Sequence, residues 1–93
     1  MNMKKLTIFY LQNCPYCRNA IRAVEEICAE NPALKSVSIE WIEERQNPDL
    51  AEQYDYYYVP SVFLGKDKLY ECNPADDYNA IKRNIQQAMN KAI

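Results

Sequence analysis

Residues 6–17 have the sequence Leu-Thr-Ile-Phe-Tyr-Leu-Gln-Asn-Cys-Pro-Tyr-Cys, which contains the strongest structural signal in the chain. Leu6–Leu11 is a continuous apolar run with the length of a buried β-strand. Pro15 suits the first position of a helix, where its missing N–H costs nothing, so the N-cap falls on Cys14. A thiol is a poor cap, but the partial positive charge and free N–H groups of a helix N-terminus favour a thiolate. The stretch therefore predicts a strand, a loop and a helix that begins at a reactive cysteine.

The composition excludes several classes of enzyme and leaves sulfur chemistry. The 93 residues contain four cysteines, one glycine and no histidine, and the formal net charge is −2. Without histidine there is no Ser-His triad and no histidine-ligated metal. A single glycine leaves no P-loop or dinucleotide-binding motif, and the acidic balance argues against a nucleic-acid partner. The length predicts one domain over residues 1–93.

Cysteine usage and hydropathy favour a reducing compartment. The cysteine content is too low for a secreted, disulfide-stapled scaffold. The apolar run after Lys4 and Lys5 is too short for a secretory signal, and no run has the length of a membrane span. We therefore expect a cytoplasmic protein without a membrane partner, whose closely spaced thiols serve redox chemistry or bind a metal.

Hydrophobic periodicity predicts the other elements. The first helix runs from Pro15 to about Glu30, and its apolar stripe consists of Cys17, Ala20, Ile21, Val24, Ile27 and Cys28. The remaining elements are a strand over Val37–Trp41, a helix from Pro48 to about Tyr54, a hairpin of strands 61–64 and 68–72 around Gly65, and a helix from Pro74 to about Ala92, with Asn47 and Asn73 as N-caps. The order β-α-β-α-β-β-α combines a parallel pair with a hairpin, which predicts an α/β fold with a mixed four-stranded sheet and helices on both faces.

Asn13-Cys14-Pro15-Tyr16-Cys17, directly after a strand and at the start of a helix, resembles the active site of glutaredoxins within the thioredoxin superfamily. The Cys-Pro-Tyr-Cys tetrapeptide is typical of dithiol glutaredoxins, whereas thioredoxins usually have Gly-Pro between their cysteines. Residues 47–61, which end in Val59-Pro60-Ser61, are similar to the thioredoxin segment that ends in valine or isoleucine, proline and threonine. The resemblance implies a thioredoxin fold and a thiol-disulfide oxidoreductase that reduces protein or glutathione mixed disulfides.

The resemblance also implies roles for single residues. Cys14 would attack a substrate disulfide as a thiolate, and Cys17 would then displace the mixed disulfide and leave a Cys14–Cys17 disulfide. Pro15 would modulate the redox potential. Pro60 would follow a cis peptide bond, so that the backbone of Val59 pairs with a bound peptide or with glutathione.

Further residues are candidates for substrate contact. Tyr16 and Tyr58 are expected at the contact surface, whereas Tyr54 and Tyr56 are expected in the core. Asp76 and Asp77 are candidates to bind the amine of glutathione, although the same residues suit a helix start, with Asp76 at the third position after Asn73.

This sequence departs from glutaredoxins at positions that bind the substrate in that family. A basic residue shortly before the first cysteine and a Gly-Gly turn after the fourth strand, which meet glutathione in that family, are both missing. Ile8 stands about where thioredoxins bury an aspartate, so the chain resembles the small glutaredoxin-like thioredoxins. No resident cofactor is expected, and glutathione is a possible reductant or cosubstrate.

The two other cysteines have separate interpretations. Cys28 lies on the apolar stripe and is expected to be a buried, small hydrophobic residue. The hairpin register places Cys72 opposite Pro60, at the active-site end of the sheet. Cys72 is then either an accessible third thiol, open to glutathionylation or exchange with Cys14, or a half-buried residue at a strand end.

Two other functions stay open beside the oxidoreductase. One is a non-catalytic metal or iron–sulfur protein that binds through Cys14, and the other is a binding module that keeps the fold without turnover. The partners expected for the oxidoreductase are disulfide-containing client proteins and, as electron source, glutathione or a thioredoxin reductase.

Overall fold

The computed structural model describes residues 4–93, in which strands and helices alternate as the periodicity predicts. The elements are β1 (Leu6–Tyr10), α1 (Pro15–Glu30), β2 (Ile39–Glu43), α2 (Pro48–Ala51), β3 (Ser61–Leu64), β4 (Asp67–Glu71) and α3 (Tyr78–Lys91). Short 3₁₀ turns at Pro32–Ser36 and Glu44–Gln46 precede β2 and α2. The predicted element order is confirmed.

The four strands form one mixed sheet in the order β2-β1-β3-β4. β1 runs parallel to β2, with Leu6 opposite Ile39, and antiparallel to β3. β3 and β4 form a hairpin whose turn begins at Gly65, with a φ of 62°. A positive φ suits glycine because it has no Cβ. β1 is one of the two central strands, and its carboxyl end leads directly into the loop that ends at Cys14.

Successive residues of β1 point to opposite faces of the sheet, and each face is covered by helix or loop. Leu6 and Ile8 are fully buried in a core cluster with residues of α1 and α3. Phe9 is buried on the other face with Ala51 of α2. The rings of Tyr54, Tyr56 and Phe63 lie 4.8, 5.0 and 5.9 Å from that of Phe9. Helices on both faces are thus confirmed, and Tyr54 and Tyr56, expected in the core, are half-buried and pack against this cluster.

The buried face of α1 is displaced from the predicted stripe. Cys17, Ala20, Ala23 and Ile27 are buried, whereas Ile21 is 40% exposed. In a helical projection Ile21 lies roughly 100° from the middle of that face. The prediction that Ile21 faces the core is wrong, and Cys28 is half-buried rather than fully buried. The two alanines on the buried face allow α1 to approach its neighbours closely.

The second strand begins later than predicted. Val37 is buried, but its N–H donates to the Leu34 carbonyl at 3.1 Å and so ends the 3₁₀ turn. β2 therefore starts at Ile39 and continues past Trp41 to Glu43. α2 is also shorter than predicted and ends at Ala51.

The last helix begins at Tyr78, so the prediction of a start at Pro74 with Asn73 as N-cap is wrong. Asp77 is the N-cap, and its carboxylate accepts the Ala80 N–H at 2.8 Å. Asn73 instead closes a turn, because its side-chain oxygen accepts the Ala75 N–H at 2.9 Å. Asparagine and proline suit a turn as well as a helix start. Within residues 4–93, no helix has both the length and the hydropathy to cross a bilayer.

Candidate active site

Cys14 lies where the loop after β1 meets α1. It is the N-cap residue, and Pro15 follows at the first helical position, as predicted. The Cys14 side chain makes no capping hydrogen bond, and the residue is only half-buried beside the free N–H groups of the first turn, so it is partly accessible. Asn13 holds the loop in the left-handed region, with a φ of 65° that asparagine tolerates well. The geometry therefore presents an uncapped thiol at the positive end of a helix.

Cys17 lies one turn further along α1, in a different environment. Its side chain is 1% exposed, and the Leu11 N–H donates to its sulfur at 3.5 Å. Burial raises the pKa of the Cys17 thiol to about 12, and the Leu11 N–H opposes this rise only in part. Both thiols are free in this structure. The pair therefore consists of one accessible sulfur and one buried sulfur that keeps its proton.

The segment before β3 has the conformation that the resemblance implied. The Val59–Pro60 peptide bond is cis, and Pro60 is buried. The Cys72 N–H donates to the Pro60 carbonyl at 3.0 Å, which confirms the predicted placement of Cys72 opposite Pro60. Val59 itself is half-buried and packs against the cluster around Phe9.

Two tyrosines precede Val59 and face solvent. Tyr57 is 88% exposed and Tyr58 is 55% exposed. An open cavity of about 250 Å³ is lined by Tyr57, Tyr58, Glu71, Cys72 and Asn73. The exposure of Tyr58 is compatible with the predicted contact role. A larger cavity of about 480 Å³ lies at the other end of the sheet, by Lys4 and Gly65, and no cysteine lines it.

Cys72 is more deeply buried than either interpretation allowed. Its side chain is 3% exposed and its sulfur contacts the Asn73 carbonyl oxygen at 3.5 Å. Burial raises the pKa of the Cys72 thiol. The interpretation as an accessible third thiol is wrong for this structure, because Cys72 is buried within the core cluster that contains Leu6 and Ile8.

The loop over residues 73–77 is fastened by its own carboxylates. Asp76 accepts the Tyr70 hydroxyl at 2.7 Å and the Asn73 N–H at 3.0 Å, and these bonds lower the pKa of Asp76. The predicted position of Asp76 in the first turn of a helix is wrong. Asp77 caps α3. The Tyr16 hydroxyl donates to the Pro74 carbonyl at 2.8 Å and so links the loop to the cysteine motif.

Glu43, which the sequence analysis did not identify, supports the loop before Cys14 from the other side. It is 5% exposed at the end of β2 and accepts N–H groups from Gln12 at 3.0 Å, Arg45 at 2.6 Å and Gln46 at 3.3 Å. The bond from Gln12 is the main reason that the pKa of Glu43 is lowered. The sequence feature that could have identified Glu43 is its position in a strand, as a charged residue directly after the apolar Trp41 and Ile42.

The cysteines do not form a metal cluster in the part of the chain described. Over residues 4–93, no group of three or more histidine, cysteine, aspartate or glutamate side chains is placed to hold a metal ion.

Comparisons with known proteins identify the family. No family model matches the chain. The chain is 31% identical over 87 residues to a thioredoxin of Methanocaldococcus jannaschii, and the match covers 91% of this chain and 100% of that protein. It is 33% identical over 76 residues to glutaredoxin-1 of Oryctolagus cuniculus, covering 74% of this chain and 67% of that one.

A solved structure supports the same assignment at the level of the fold. The germline-specific thioredoxin Deadhead of Drosophila melanogaster superimposes with a TM-score of 0.67 at 16% identity, over 99% of this chain and 83% of that chain. The two relatives show the family, and the solved structure agrees with them in fold. The chain belongs to the thioredoxin superfamily and is a thioredoxin- or glutaredoxin-like redox protein.

Proposed function

We propose that this protein is a dithiol–disulfide oxidoreductase in which Cys14 attacks the substrate and Cys17 resolves the intermediate. The observation that carries the proposal is the contrast between the two sulfurs. Cys14 is accessible at the N-terminus of α1, whereas Cys17 is 1% exposed and protonated. Only the first sulfur is reachable by a polypeptide disulfide.

The chemistry follows from ordinary thiol–disulfide exchange. The Cys14 thiolate attacks one sulfur of the substrate disulfide, forms a mixed disulfide and releases the other substrate sulfur as a thiolate, which takes a proton from water. Cys17 then attacks the Cys14 sulfur and releases the second substrate sulfur, which receives the Cys17 proton. One substrate disulfide is reduced to two thiols, and the Cys14–Cys17 dithiol is oxidised to a disulfide.

The proposed substrates are disulfides of client polypeptides, and the proposed electron source is a thioredoxin reductase rather than glutathione. Asp76 and Asp77, the candidates for the amine of glutathione, both accept hydrogen bonds within the chain. The loop over residues 11–13 is Leu-Gln-Asn and has no basic side chain for a glutathione carboxylate. We place the protein in the cytoplasm, where such a dithiol is kept reduced.

Single-turnover oxidation tests the proposal. Reduced protein is mixed anaerobically with excess insulin as a polypeptide disulfide, quenched with a maleimide and analysed by mass spectrometry. We expect wild type to form the Cys14–Cys17 disulfide, Cys17→Ser to accumulate a mixed disulfide on Cys14, and Cys14→Ser to be inert. Full activity of Cys14→Ser would refute the proposal. Parallel reduction of the disulfide by glutathione with its reductase, or by thioredoxin reductase with NADPH, tests the electron source.

A further inference from the structure

Glu71, the last residue of β4, makes hydrogen bonds with the segment before Pro60. One carboxylate oxygen accepts the N–H groups of Tyr57 and Tyr58, both at 2.6 Å. The other oxygen accepts a hydrogen bond from the Lys68 ammonium at 2.7 Å. Burial would raise the pKa of Glu71, but the Lys68 ion pair and the two N–H bonds outweigh it and lower that pKa. Glu71 is therefore a charged acceptor for two consecutive backbone groups.

Two consecutive N–H groups that converge on one oxygen set the local backbone shape. In a β-strand successive N–H groups point to opposite sides, so the chain at Tyr57 and Tyr58 is turned and not extended. Convergent N–H groups of this kind form an anion-binding concavity, which the Glu71 carboxylate occupies. The carboxylate thus fixes the backbone at Tyr57 and Tyr58, directly before Val59.

The residue directly after this turn keeps its own backbone groups free. The Tyr58 carbonyl accepts the Ser61 hydroxyl at 2.5 Å, and the Pro60 carbonyl accepts the Cys72 N–H at 3.0 Å. Among the hydrogen bonds of residues 4–93, none uses the backbone of Val59. Val59 therefore lies between bonded neighbours, and its own N–H and carbonyl make no hydrogen bond within residues 4–93.

Lys68 provides a comparison within the same cluster. Its side chain is 36% exposed and pairs with the oxygen of Glu71 that does not contact the turn. Ion pairs of this exposure contribute little to stability. Removing Lys68 takes away the ion pair but leaves both backbone N–H groups with their acceptor.

We infer that Glu71 is a positioning residue for client binding: its carboxylate holds the turn at Tyr57–Tyr58 so that Val59 is presented for backbone pairing with a client polypeptide. This inference rests on the proposed exchange at Cys14. Glu71 acts through the backbone and not on the reacting sulfurs. Its loss should therefore weaken the binding of a polypeptide disulfide without changing the reactivity of Cys14 towards a small disulfide.

The test measures oxidation of the reduced protein by two disulfides. Insulin is the polypeptide, and 5,5′-dithiobis(2-nitrobenzoate) is the small disulfide. For Glu71→Ala we expect the half-saturating concentration of insulin to rise about tenfold, with the limiting rate and the small-disulfide rate within about twofold of wild type. Glu71→Gln should lie between wild type and Glu71→Ala, because an amide oxygen accepts the same N–H groups without charge.

Matched variants and amide exchange separate positioning from general damage. Lys68→Gln should stay within about twofold of wild type on both substrates. Amide exchange at Tyr57 and Tyr58 should accelerate in Glu71→Ala and not in Lys68→Gln. If Glu71→Ala does not fold, Glu71→Gln carries the same test.

An unchanged half-saturating concentration in the folded Glu71 variants would overturn the inference, and so would an equal rise in Lys68→Gln. Failure of the proposed function has a different signature, because wild type itself would then not react with insulin.

Discussion

The Glu43 carboxylate accepts the Gln12 N–H at 3.0 Å and thereby joins the end of β2 to the loop that leads into Cys14. The same carboxylate accepts the N–H groups of Arg45 and Gln46, so it fastens two loops at once. A buried carboxylate with several N–H donors is stabilised in its charged form. This relationship makes the loop before the reactive thiol dependent on the ionisation of one side chain.

Glu43→Gln should lower the free energy of unfolding at neutral pH. In acid, the free energy of unfolding of this variant should then fall less than that of wild type. The folded protein lowers the pKa of Glu43 below its ordinary 4.5. The resulting stabilisation is fully present above that ordinary value and is lost as the pH falls through the lowered folded pKa. The gap between wild type and Glu43→Gln in urea titrations should therefore be widest at neutral pH and narrow below pH 4.5.

The matched control for Glu43 is Glu40→Gln. Glu40 lies on the same strand but is exposed and pairs with Lys5 at 2.7 Å. We expect little effect from that substitution. A gap between wild type and Glu43→Gln that stays constant from neutral pH to acid would contradict the assignment.

Cys17 should make the reduced protein less stable in alkali. Burial raises the pKa of this thiol from 9.0 to about 12, so between these values the folded state retains a proton that the unfolded state loses. Stability from this source is complete below the unfolded value and decreases as the pH rises, by at most about 1.4 kcal/mol per pH unit. In urea titrations of the reduced proteins above pH 9, the free energy of unfolding should fall more steeply with pH for wild type than for Cys17→Ala. Parallel pH profiles for the two proteins would contradict this prediction.

Tyr70→Phe should destabilise the protein more than Tyr16→Phe. The Tyr70 hydroxyl donates to the Asp76 carboxylate from a side chain that is 8% exposed, whereas the Tyr16 hydroxyl donates to the Pro74 carbonyl at the surface. A partly buried bond to a charged group contributes about 1.5–3 kcal/mol, and an exposed neutral one contributes about 0.5 kcal/mol. Thermal unfolding of the two variants measures the difference. Equal losses would mean that the bond from Tyr70 does not fasten the loop.

Phe9→Leu should loosen the segment that leads to Val59. Phe9 is fully buried against Tyr54, Tyr56 and Phe63, so the smaller side chain leaves space beneath that segment. We expect a loss of about 1–3 kcal/mol and faster amide exchange at Tyr54–Tyr58. Ile8→Val, on the opposite face of β1, is the control and should leave exchange at Tyr54–Tyr58 unchanged. Equal exchange in both variants would contradict the packing described.

The sequence was most informative where a single geometric rule applied. The hairpin register around Gly65 placed Cys72 opposite Pro60, because paired residues in a hairpin have indices of nearly constant sum. The strand–loop–helix at Cys14 followed from an apolar run and a proline. Such features depend on neighbours in the chain, so they are visible without the tertiary structure.

The predictions failed where distant contacts decide between two local solutions. Asn73-Pro74 suits a helix start or a turn, and the bond between Tyr70 and Asp76 selects the turn. Glu43 and Glu71 were not identified because each accepts backbone N–H groups, and no side-chain pattern reveals such bonds. The offset of Ile21 has a similar origin, since the packing of α1 against its neighbours sets its orientation.

The charged outer strand β4 has a consequence for self-association. β4 is an edge of the sheet, and it contains Asp67, Lys68 and Glu71, the last two joined as an ion pair. Charged residues on an edge strand discourage another copy from adding its own strand there, which is a common route to aggregation. The protein can thus leave the backbone of Val59 unpaired while the charged edge at β4 resists the addition of another strand.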